Sequence, residues 1–187
     1  MHRHQRSLNL PFPGGERASG IRRPLAIVIA GLIGTASIAA FAQPAGRPEF
    51  NSCHGGDCSW SITRSRTVVR QDARGILYRL TLLGGSAREG SRRIRWNSAP
   101  HELFIFCSRL LPATILPDRG HLQVDVLDFV TGPMPDLESS ASLYVRTCHP
   151  GEDWAADGFA ARHGYRTQDT EREITLSRPE DIFNYAH

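Results

Sequence analysis

The chain contains no lysine: all 22 of its Lys+Arg positions are arginine. Selection for forked, bidentate contacts would produce this, and so would a nucleotide bias; the residues leave both open. Several chemical signatures are missing as well. No Gly-x-Ser-x-Gly, His-Glu-x-x-His, P-loop or Gly-x-Gly-x-x-Gly occurs. The serine-hydrolase elbow, the zinc-protease helix, the nucleotide phosphate loop and the dinucleotide fingerprint are therefore not what this chain displays. It has no internal repeat, and no apolar run of membrane-spanning length after residue 42.

Net positive charge is lacking where it would matter. The formal charge is +3, but residues 1–42 hold five arginines and one glutamate, leaving 17 basic against 18 acidic side chains in the remainder. A basic nucleic-acid-binding protein is not expected from that balance. The charge is unevenly placed, however. Residues 43–110 carry 11 arginines and five acids, residues 111–187 six arginines and 13 acids. Scattered solvated charges, or packing of one half on the other, account for this asymmetry. A basic patch for an anionic envelope component is the sharper reading.

What is present begins with residues 24–42, PLAIVIAGLIGTASIAAFA, after Arg22 and Arg23. A basic flank, an uncharged apolar run and Ala40-Phe41-Ala42 form the pattern of a secretory signal cleaved after Ala42. The rival is an uncleaved anchor, weakened by Gly31, Gly34, Thr35 and Ser37. Residues 1–42 thus read as a signal peptide, 43–52 as a flexible lead-in rich in proline and glycine, and 53–187 as one disulfide-stabilised domain, periplasmic or secreted.

In that domain, alternation and β-forming side chains place strands at residues 59–69, 76–83, 92–96, 101–108, 122–126, 141–148 and 174–176, with a short extended piece at 112–116. A turn from Gly84-Gly85 to Gly90 makes a hairpin of 76–83 and 92–96, and residues 138–141 are compatible with a helical turn ahead of the strand at 141–148. HELFIFCS (101–108) is apolar on both parities, as expected of a strand covered on both faces. Residues 154–162 read as either a short helix or an irregular strand. Pro179-Glu180-Asp181 marks a helix start near the C-terminus. The expected fold is mainly β: a single small domain of about eight short strands, as a curled sheet, sandwich or partly open barrel, with a short C-terminal helix.

Four cysteines in an exported chain make two disulfides in one of three connectivities. Cys53 and Cys58 flank a Gly-Gly-containing loop and Cys107 and Cys148 each end a predicted strand, so 53–58 with 107–148 is the favoured pairing. The competing chemistry takes Cys53, His54, Cys58, Cys148 and His149 as ligands for zinc or copper, but the spacing is not that of a finger or ribbon, and no Cys-x-x-Cys-His haem site exists. No metal and no cofactor is expected. A cysteine hydrolase or thiol redox protein using Cys107 or Cys58, with His101, His121 or His163 as base for Cys107, is the enzymatic alternative, and a purely structural envelope role is a third. The leading binding candidate is the segment Arg88, Arg92, Arg93, Arg95 and Trp96. There guanidinium groups would engage an anionic glycan or lipid head group and the indole would stack on a ring.

The motifs CHGGDCSW (53–60), Phe106-Cys107-Ser108 with Pro112, YVRTCH (144–149) and Pro179-Glu180-Asp181 resemble a group of small exported proteobacterial proteins with four cysteines. The resemblance spans most of residues 53–187. It implies a secreted cysteine-containing domain and carries no functional residue with it.

Overall fold

A computed structural model describes residues 46–187. The signal-like segment at 24–42 and the start of the lead-in lie outside these described residues. Eight strands form one antiparallel sheet: β1 Glu49–His54, β2 Asp57–Asp72, β3 Gly75–Arg88, β4 Arg95–Trp96, β5 His101–Cys107, β6 Ala113–Asp118, β7 His121–Val126 and β8 Thr175–Leu176. Their order is β1-β2-β3-β5-β6-β7-β8, with β4 also paired to β3, so the sheet is open with β1 and β8 at its edges. The fold is mainly β, as the alternation predicts. The strands are not uniformly short, since β2 has 16 residues and β3 has 14. β1 begins at Glu49, which brings the end of the lead-in into the sheet.

Burial explains the layers. On β3 to β7 the side chains of Leu77, Phe106, Ala113, Ile115, Val124 and Val126 share one face, where they meet Ile174, Leu176, Ile182 and Phe183. Leu80, Leu82, Leu103 and Ile105 point to the opposite face and pack on Ala141, Tyr144, Val145, Phe129 and Phe159. β5 is therefore buried from both sides, as its two-sided apolar pattern requires. Each fully buried Leu, Ile or Phe of this kind contributes about 2 kcal/mol relative to exposure.

Residues 141–148 are not a strand. They belong to α1, Glu138–Cys148, and the cause is spacing. Ala141, Tyr144, Val145 and Cys148 recur at the helical interval, and the first three are buried against the sheet. The β-forming side chains of Leu143, Tyr144 and Val145 are overridden by that packing. Residues 154–162 resolve into a turn followed by a short helix, α2 Phe159–His163. The C-terminal helix is a 3-10 helix, Pro179–Tyr185, in whose first turn Asp181 accepts the Arg178 N–H at 3.2 Å.

Both favoured cysteine pairs are bridged, and the described residues hold no free thiol. Cys53 and Cys58 face each other across the β1–β2 hairpin. Cys107 at the end of β5 is tied to Cys148 at the end of α1, 41 residues later. The helix is thereby locked to the central strand.

Candidate functional site

Two places gather functional side chains, and they lie at opposite ends of the β2–β3 ribbon. At one end β3 runs to Arg88, the chain turns through Glu89-Gly90-Ser91, and β4 returns to pair Trp96 with Gly85 and Arg95 with Ser86. This is the hairpin expected from the sequence, with the turn narrowed from residues 84–90 to 89–91 and Gly84-Gly85 taken into β3. Arg92, Arg93 and Arg95 are exposed, and no guanidinium partner is found for them among the described residues. Arg88 is engaged with Asp57 across the ribbon at 3.3 Å. Trp96 and Ile94 are half-buried over Gly85, where a Cβ would lie 2.6 Å from the indole and 2.8 Å from Ile94. The indole anchors the hairpin to the sheet, and glycine at position 85 is what lets it approach.

At the other end, the β2–β3 turn, the end of β5, the carboxyl end of α1 and the segment after α2 enclose an open cleft of about 660 Å³. Arg109, Arg162 and Arg166 line it, together with His149, His163, Tyr144 and Tyr165. Gly164, at φ 71°, ends α2 and turns the chain, with Gly164 N–H on Ala161 and Tyr165 N–H on Ala160. That turn sends Tyr165 into the apolar layer beside Phe129 and Phe159.

A chain of hydrogen bonds links these groups. Tyr144 O–H donates to the Ser108 carbonyl at 3.1 Å and accepts the Ser108 N–H at 3.2 Å. Its hydroxyl lies 2.9 Å from that of Tyr165, which lies 2.6 Å from His149 Nε2. A phenol has one proton to give. With the Tyr144 proton on Ser108, Tyr165 donates to Tyr144 and His149 Nε2–H donates to Tyr165; with it on Tyr165, Tyr165 donates to Nε2. In both arrangements Nε2 is the ring nitrogen held by the chain of hydroxyls. Burial raises the pKa of both phenols, that of Tyr165 to about 12, so both remain proton donors. Burial, and then His163, lower that of His149, with Glu152 opposing.

His163 packs against His149 with ring centroids 3.9 Å apart, and its Nε2 lies 2.9 Å from Glu152 Oε2. This contact, with Arg162 nearby, holds the Glu152 carboxyl below its usual range against the opposing effect of burial. One ligand atom each from His149, Glu152 and His163 lies within 4.8 Å of the others.

The remaining sequence candidates separate. His54 is exposed at the β1–β2 turn, and His101 and His121 are exposed at the starts of β5 and β7. Cys53, Cys58 and Cys148 are in disulfides and offer no thiolate to a metal. Cys107, bridged in the same way, offers none to a substrate. Tyr144, Glu152 and Tyr165 had no role in the sequence reading. The signal that could have found them is the turn His149-Pro-Gly-Glu152 followed by His163-Gly-Tyr165, two reversals that present polar side chains inward. Among the described residues, no helix is long and apolar enough to cross a membrane. Comparison with protein-family models, curated proteins and solved structures gives no match.

Proposed function

We propose that this is an exported, noncatalytic protein of the periplasm or extracellular space that binds an anionic envelope component through the Arg88–Trp96 hairpin. The observation that carries the reading is the state of Arg92, Arg93 and Arg95: three exposed guanidinium groups, without side-chain partners among the described residues, on a ribbon fixed by Ile94 and Trp96 over Gly85. Arginine forks are suited to phosphate and carboxylate. Two disulfides agree with folding in an oxidising compartment.

The charge pattern supports the same surface. Arg70 and Arg74 pair with Asp72, Arg88 with Asp57, Arg162 with Glu152 and Arg178 with Asp181, each within its own half of the chain. Arg146 pairs with Glu49 across the halves, but with the cation coming from the acidic half. Arg66 and Arg74 donate to the Thr147 and Phe183 carbonyls of the second half, contacts that neutralise no acid there.

The test is binding to lipopolysaccharide micelles at low and high salt. Replacing Arg92, Arg93 and Arg95 together by Ser is expected to weaken binding at least tenfold at low salt and to flatten its salt dependence. Arg109→Ser with Arg166→Ser, at the other end of the ribbon, is expected to leave it unchanged. Equal binding by the triple variant would remove the hairpin from consideration.

A further inference from the structure

From the geometry of the cleft wall we infer a binding site for one divalent transition-metal ion, with zinc as the reference, held by His149 Nδ1, His163 and Glu152. Two imidazoles and one carboxylate form a recurrent ligand set for zinc, in which the fourth position stays open to water or a ligand.

Three features argue for it. First, the ring of His149 is held from behind. Tyr165, itself in contact with Tyr144, engages Nε2 at 2.6 Å, so Nδ1 is the nitrogen left for an ion, and the ring is oriented by a buried phenol. Metal-binding imidazoles are commonly fixed in this way, by a hydrogen bond from the nitrogen that does not ligate. A surface histidine with no such support has no preferred lone pair to offer.

Second, the spacing suits an ion. His163 Nε2 and Glu152 Oε2 are 2.9 Å apart, at hydrogen-bond distance with one proton between them. Tetrahedral zinc with bonds of about 2.05 Å places its ligand atoms about 3.3 Å apart, so an ion can replace that proton after a small separation of the two groups. The three ligand atoms lie within 4.8 Å of one another, and Glu152 is exposed. Arg162 Nη2, 3.6 Å from the carboxylate, is a half-exposed competitor. Pairs of that kind are weak.

Third, the surroundings favour a cation at this point and an anion next to it. α1 ends at Cys148 with His149 as its C-cap, and the partial negative charge of a helix carboxyl end attracts positive charge. His149 and His163 both line the cleft, whose rim carries Arg109 and Arg166.

The test is titration of the exported protein, purified without a histidine tag, with Zn²⁺ in a non-chelating buffer, read by calorimetry. One ion per chain is expected at micromolar Kd or tighter, weakened at least tenfold by His163→Ala and by Glu152→Gln. Tyr165→Phe, which removes the support and no ligand, is expected to weaken it about tenfold or more, whereas His121→Ala, on the far β6–β7 turn, leaves it intact. Absence of saturable 1:1 binding, or undiminished binding by a folded His163→Ala variant, overturns the site. Should His163→Ala fail to fold, Glu152→Gln together with the Co²⁺ visible spectrum of the unaltered protein decides. Intense bands of a low-coordinate ion, lost in Glu152→Gln, support the site; the weak spectrum of hexa-aqua cobalt refutes it.

Discussion

Asp128 shows how a single side chain joins two loops of the chain. Its carboxylate accepts the Val130 N–H at 2.7 Å and the Thr131 N–H at 3.1 Å through Oδ1, and the Gln168 N–H at 3.2 Å through Oδ2. It thereby ties the loop after β7 to the segment that follows Tyr165. Burial acts to raise its pKa, but the backbone donors outweigh burial and hold it below its ordinary value of 3.8. A depressed carboxyl stabilises the fold at pH above its unfolded value, and that contribution is lost as pH falls from near 4 through the folded value. Asp128→Asn keeps the shape but sets an NH₂ group against a backbone donor. The expected result is a loss of about 2 kcal/mol at pH 7, and a shallower decline in stability below pH 4 than in the parent protein. Urea melts at pH 7 and pH 3 measure both; equal losses at the two pH values would show that Asp128 acts through packing alone.

Among the elements, the hairpin and α1 show what could be read in advance. The hairpin was legible because its strand formers and glycines are local signals. Gly85, however, read as a turn residue and is a strand residue, since its demand is for closeness to Trp96 and not for a turn. α1 was misread for a related reason: Leu143, Tyr144 and Val145 favour strands in isolation, and only the sheet they pack on makes the Ala141, Tyr144, Val145 spacing decisive. The His149, Glu152 and His163 grouping was less legible still, since it depends on where two turns bring residues 11 and 14 positions apart in sequence. Gly85→Val tests the element directly. The added side chain displaces Ile94 and Trp96 at a cost of about 1–3 kcal/mol. Micelle binding should fall severalfold although no charge has changed. Binding equal to that of the parent would mean that hairpin order is irrelevant to the partner.

For the whole molecule, each disulfide serves one end of the β2–β3 ribbon, and this separates the two sites. The hairpin joins β3 at Gly85 and Ser86, whereas the cleft meets it at Gly75 and Ile76, and α1 runs between them, with Ser139 touching Ser59 near the hairpin and Cys148 lining the cleft. Cys53–Cys58 closes the sheet edge beside the hairpin, whereas Cys107–Cys148 pins α1 next to His149. The sequence separations of 5 and 41 residues correspond to about 2 and 4 kcal/mol of loop-closure entropy. Cys107→Ala with Cys148→Ala is therefore expected to be the more damaging pair in urea denaturation. It should also weaken zinc binding, because the carboxyl end of α1 is freed, while leaving lipopolysaccharide binding at its original strength in the folded fraction. Cys53→Ala with Cys58→Ala should do the reverse, loosening the ribbon end that carries Arg88 and sparing the metal. If both double variants affected both ligands equally, the two ends would be coupled through the sheet and could not be treated as separate sites.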